Sequence, residues 1–139
     1  MALGEIIPDG EILFKYVKPE AFPPGQTEVN AAIFQDGELS CDWKRYRFNP
    51  FTSKHISKGR SLVIAITVCD EIRNPRNPRN FGLLEPGWHQ EIIHDPTTAE
   101  NDPDFGPNEA HSLIKGKKKA AIIEAIKRNS RLISHPNPN

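Results

Sequence analysis

The run SLVIAITV, residues 61–68, is the longest apolar stretch of the chain and the feature that most constrains its fold. Eight uncharged residues rich in Val, Ile and Thr suit a strand covered on both faces rather than the alternating pattern of a half-wet one. Such a strand needs pairing partners along its edges and a layer of side chains above and below. The remaining residues must supply these from a total of 139, a length that can bury one core but hardly two. Residues 1–133 are therefore read as a single compact domain. The last six, SHPNPN at 134–139, read as a frayed, proline-rich tail.

Candidate partners for the central strand are short. EILFKYV, residues 11–17, has β-branched and aromatic content and stops at Lys18-Pro19. AFPPGQTE is a turn-rich loop, because adjacent prolines supply no ladder donors. NAAIFQ and ELSCDW flank Asp36-Gly37, a step that favours a tight hairpin over residues 30–43. The segment 43–60, WKRYRFNPFTSKHISKGR, reads as irregular and electropositive. CDEIRN starts a short helix that the exposed loop RNPRNPRN, residues 73–80, stops. WHQEII (88–93) and AHSLIKG (110–116) read as strands joined by the long polar loop TTAENDPDFGPNE.

From Lys117 to Leu132 the spacing predicts an amphipathic helix, with Ala121, Ile122, Ala125, Ile126 and Leu132 near one face. The sum is an α+β fold in which a small, mostly antiparallel sheet packs against this C-terminal amphipathic helix.

Eighteen Lys and Arg balance eighteen Asp and Glu, so no overall field draws the molecule to nucleic acid or an anionic membrane. No apolar run reaches the roughly 18 to 20 residues needed to cross a bilayer, and the first residues lack a secretory pattern. The expectation is a cytoplasmic protein. Cys41 and Cys69 are too few for a disulfide scaffold and read as packing thiols.

Charge is nevertheless segregated. Residues 91–109 carry six acids and no Lys or Arg, whereas 115–131 carry seven Lys or Arg against Glu124 alone. Arg45, Tyr46, Lys117, Lys118, Lys119 and Arg128 could follow a phosphate backbone and offer a ring for stacking. The plainer reading is a solvated outer helix face.

His94 and His111 lie near facing ends of two predicted strands. If Ile92 and Leu113 point into the core, alternation puts both imidazoles on that same face, where they could act as acid and base in metal-independent RNA cleavage. Two structurally satisfied histidines would give the same pattern. No metal is expected, since neither His-Glu-x-x-His nor paired Cys-x-x-Cys occurs, and the acidic loop lacks the calcium-loop rhythm. No cofactor is expected either: Gly116 and its three lysines are not a P-loop, and the simplest reading starts the helix near Ala120.

The order of LFKYVKPEAF, AAIFQDGELSCDW, HDP and HSLIKGKKK resembles small uncharacterised bacterial proteins that close on a His-x-x-x-x-Gly-Lys-Lys segment. The matching positions are Ser40, Asp42, His111, Gly116 and Lys117, while RNPRNPRN departs from that pattern. The resemblance implies one compact bacterial domain and carries no mechanism.

Two readings of function follow. The first is an accessory or binding protein acting through protein–protein contacts, with Trp43 or Trp88 as anchors. The second is a nucleic-acid-binding protein, with the paired histidines as a ribonuclease site.

Overall fold

The computed structural model describes residues 4–21, 31–98 and 106–133. The loop expected at 21–28, part of the acidic loop and the tail 134–139 fall wholly or largely outside the described residues. The fold is α+β and dominated by its sheet. In chain order the elements are β1 (Glu5–Ile6), β2 (Ile12–Val17), β3 (Glu38–Trp43), α1 (Lys54–Ser57), β4 (Leu62–Thr67), α2 (Asp70–Arg73), β5 (Arg76–Asn77), β6 (Leu83–Leu84), β7 (Glu91–His94), β8 (His111–Lys115), α3 (Ala120–Arg128) and β9 (Ser130–Ile133). Seven strands form one sheet in the order β1-β7-β8-β3-β2-β4-β9, every neighbouring pair antiparallel. β5 and β6 make a separate small ribbon.

β4 behaves as its sequence demands. It pairs with β2 from Ile12↔Thr67 to Val17↔Leu62 and with β9 on its other edge. Ile64 and Ile66 enter the main core with Leu13, Leu39, Trp43, Ile114, Ile122 and Ile126. Val63 and Ala65 go to the opposite face, with Phe14 and Tyr16, where Phe51 and Ile56 from the α1 segment cover them. One face thus lies under α3 and the other under α1. Burying a side chain such as Ile122 or Ile126 contributes about 1.5–3 kcal/mol, so the α3 contact anchors the larger layer.

Three expectations are corrected. Residues Ala31–Phe34 form a 3-10 turn instead of the first arm of a hairpin. Phe34 is fully buried in the main core, so a short apolar run that could serve either conformation is decided by packing. β3 takes β2 and β8 as partners, and the Asp36 carboxylate accepts the Glu38 amide at 2.9 Å in an Asx turn.

The helix ends at Arg128. Asn129 donates from Nδ2 to the Ala125 carbonyl and to Glu71, while its own carbonyl accepts the Thr67 amide, which turns the chain into β9. Leu132 therefore packs on the core from a strand. Within RNPRNPRN, expected as an exposed loop, β5 and a 3-10 turn over Pro78–Asn80 are formed.

The strand-to-helix junction explains GKKK. Gly116 has φ +149°, and a Cβ there would lie 2.5 Å from Nε2 of the buried Gln90, which donates to the carbonyls of Trp88 and Lys117. Lys118 donates to the carbonyls of Gly37, Ile114 and Gly116, and burial lowers its pKa to about 8. α3 begins after Lys119, at Ala120, as expected.

Replacing Gly116 with Ala should cost about 2–4 kcal/mol in urea unfolding, and the added cost should shrink clearly when Gln90→Ala is already present. Equal costs in both backgrounds would show that Gln90 is not what the methyl group meets.

Candidate functional site

β3 carries the polar centre of the molecule. Leu39, Cys41 and Trp43 point under α3, so alternation sends Ser40 and Asp42 to the other face. Register puts Asp42 between Phe14 of β2 and His111 of β8. Asp42 is only 1% exposed. Its Oδ2 accepts the Tyr16 hydroxyl at 2.8 Å and Arg47 Nε at 2.8 Å, and its Oδ1 accepts Asn108 Nδ2 at 2.7 Å. Three donors satisfy a carboxylate that would otherwise be very costly to bury. Asn108 Oδ1 in turn accepts the Ala110 amide and one terminal nitrogen of Arg47.

Tyr16 extends this cluster outward. Burial first, and then the charge and hydrogen bond of Asp42, push its phenol above the ordinary value near 10. The His55 ring stacks on Tyr16 at 4.8 Å, and its Nδ1 lies 2.8 Å from the hydroxyl of Ser53, the residue that caps α1. Arg47, Thr52, Ser53, Lys54, His55, Pro107 and Asn108 enclose a pocket of about 120 Å3.

His111 lies on the same face as Asp42. Its Nδ1 donates to the Asp95 carbonyl at 2.7 Å, with the Asp95 carboxylate 3.3 Å away, and its Nε2 accepts the Ser40 hydroxyl at 3.3 Å. Adjacent strands thus fix the ring in one orientation.

His94 is on the other face. Register pairs it with Ser112, and Ile92 and Ile114 share its side, so Leu113 and His111 point the opposite way. The alternation premise, Leu113 in the main core, is the one that fails. The two imidazoles do not face one substrate. His94 has no exposed surface, stacks on Tyr46 at 4.6 Å, meets the Trp43 edge, and donates from Nε2 to the Glu109 carbonyl. Its Nδ1 has no hydrogen-bond partner among the described residues and lies 4.0 Å from the Glu5 carboxylate.

The proposed phosphate contacts are dispersed. Arg45 lies over the Trp43 and Tyr46 rings, and Tyr46 is half-buried on His94. Lys118 is tied to carbonyls as described, whereas Lys117 is exposed. Lys119 and Arg128 do come together, with Arg128 also paired to Glu71 at 3.0 Å. They line a groove of about 610 Å3 between the outer side of α3 and the β5–β6 ribbon. Its floor includes Trp88, Ala120, Ala121 and Pro78, and its charged residues are Arg76, Arg79, Lys119 and Arg128 against Glu124.

The ribbon is held by its asparagines: Asn77 and Asn80 both donate to Glu85, and Asn77 also accepts the Arg79 amide. At its tip Phe81 is 94% exposed with φ 53°.

Sequence reasoning missed Asn108 and Ser53 and counted Arg47 and His55 only as charge. The Asn spacing in RNPRNPRN was the available sign of a built ribbon. Among the described residues no group of His, Cys, Asp and Glu is arranged to hold a metal ion, and no helix is long and apolar enough to cross a membrane. No family model, curated protein or solved structure matches the chain.

Two substitutions probe the cluster. Asp42→Ala leaves Tyr16, Arg47 and Asn108 without their shared acceptor and should cost about 3–5 kcal/mol in chemical unfolding. Because the folded phenol titrates above its unfolded value, Tyr16 stabilises fully below pH 10, and that contribution is lost as pH rises through the folded value. Tyr16→Phe should flatten the loss of stability above pH 10, measured as the urea midpoint at pH 8, 10 and 11.

Proposed function

We propose that the chain is a binding protein whose groove between α3 and the β5–β6 ribbon takes a segment of another protein, acidic in charge and carrying an apolar anchor side chain. The observation behind this reading is the groove itself: an apolar floor with Trp88 beneath a rim of Arg76, Arg79, Lys119 and Arg128. Tryptophan and arginine are the residue types that dominate binding energy at protein interfaces. A rim with four basic residues and one acid calls for a partner of opposite sign.

The ribbon supports the same reading. Leu83 and Leu84 are more than half exposed beside Phe81, and aliphatic side chains favour a protein surface over a phosphate backbone. A phenylalanine with positive φ carries a backbone cost of about 1 kcal/mol that glycine would avoid. An exposed ring held at such a cost is well placed to be covered by a partner.

Selection of a phage-displayed random peptide library on the purified chain tests the proposal. Enriched peptides should combine Asp or Glu with a large apolar residue, and Trp88→Ala or Arg128→Glu should weaken them by about tenfold or more. Enrichment of basic peptides, or binders indifferent to both substitutions, would reject it. Tight, steeply salt-dependent binding of a 20-residue oligouridylate lost in Arg79→Glu would instead give the groove to nucleic acid.

Phe81→Gly should raise thermal stability slightly while weakening the selected peptides. Unchanged affinity would remove Phe81 from the interface.

A further inference from the structure

We infer that the pocket beneath Arg47 and Lys54, on the sheet face opposite the groove, is a binding site for a single phosphate group. The three nitrogens of the Arg47 guanidinium are each fixed by one acceptor. Nε holds Asp42, one terminal nitrogen donates to Thr52 Oγ1 at 3.1 Å, and the other to Asn108 Oδ1 at 3.2 Å. A guanidinium has five N–H groups, so one remains on each terminal nitrogen. Arg47 lines the 120 Å3 pocket, and its guanidinium is held in place there by these three bonds.

Lys54 lines the same pocket. Its Nζ passes close over Gly106, 3.2 Å from where a Cβ would stand, and Gly106 has φ +73°. The charged groups at the pocket are thus Arg47 and Lys54, with the His55 ring beside them, against Asp42 behind the guanidinium. Asp42 is already satisfied by three donors, so it orients Arg47 without filling the pocket.

The donor set selects the ligand chemistry. A planar fork and an ammonium offer hydrogens and no acceptors, which suits a group with several anionic oxygens. The hydroxyls are already engaged: Thr52 donates to the Asn49 carbonyl, and Ser53 Oγ bonds the His55 ring and accepts the His55 amide. A pocket of about 120 Å3 has room for one phosphate group. A nucleic-acid backbone would need a row of such sites.

Phosphate titration of the isotope-labelled full chain at constant ionic strength, followed by NMR, tests the site. The Arg47 Nε–H signal and the amides of Lys54, His55 and Asn108 should shift saturably with phosphate and not with matched chloride. The exposed Lys54→Met should weaken this binding by about tenfold with the remaining spectrum preserved. Arg47→Lys, which keeps a charge near Asp42 but not the fork, should weaken it as well.

O-phosphoserine and adenosine 5′-monophosphate serve as further probes. Tighter binding of one assigns the phosphate to a phosphoprotein or a nucleotide, and equal binding of all three assigns the free ion. Shifts that do not saturate, that chloride reproduces, or that persist unchanged in Lys54→Met would overturn the inference.

Discussion

The requirement that β4 be buried on both faces organises the whole molecule. A strand whose consecutive residues Val63, Ile64, Ala65 and Ile66 are all buried cannot tolerate water on either side. α3 meets the demand on one face through Ile122 and Ile126, and the segment Pro50–Ser57 meets it on the other through Phe51 and Ile56. Both covers are short, and each leaves a hollow at its margin. The groove lies where α3 turns its outer side to the ribbon, and the small pocket lies where the α1 segment meets Arg47 and Asn108. The two candidate binding sites are thus by-products of covering one strand with small pieces.

Asp42 plays the corresponding role among polar groups. A buried carboxylate is tolerable only when donors surround it, and Asp42 gathers two from distant parts of the chain, Tyr16 and Asn108, and one from nearby, Arg47. Each donor is itself oriented by the bond. Tyr16 supports the stacked His55, Arg47 is held at the wall of the pocket, and Asn108 ties the end of the acidic loop back to the sheet. The same charge that costs free energy to bury fixes the geometry that a ligand would use. A neutral residue at position 42 would leave the arginine fork without a direction.

How much of this was legible follows from the range of each interaction. SLVIAITV announced a doubly buried strand because eight uncharged residues in a row admit few other readings. α3 was visible in the spacing of Ile122, Ala125 and Ile126. Its end was not, because Leu132 continues the helical period, and only the bonds of Asn129 to Glu71 and Ala125 stop the helix there. The hairpin at 30–43 failed for a similar reason: Ala-Ile-Phe is short enough for strand or 3-10 turn, and Phe34 went where the core had room.

The candidate site was less legible than the fold. Arg47 contacts Asn108 across 61 positions and Asn108 contacts Asp42 across 66, so no local spacing brings Asn108 into the cluster. For the histidines strand alternation does hold, but Leu113 shares the face of Ile93 and not that of Ile92, so His94 and His111 part.

Segregation of charge makes functional sense only when the two sides of the sheet are considered separately. A chain with eighteen positive and eighteen negative residues has no long-range pull on either kind of partner. Its attraction must be local, and local attraction between exposed charges is weak and readily screened. The groove compensates by setting its basic rim around an apolar floor with Trp88, so that desolvation adds to charge. The small pocket compensates differently, by holding one guanidinium rigid against a buried carboxylate so that little side-chain freedom remains to be lost on binding. Were both places to bind as proposed, the groove would rely on desolvation and the pocket on preorganisation rather than on net charge, which is what a neutral protein with few elements can supply.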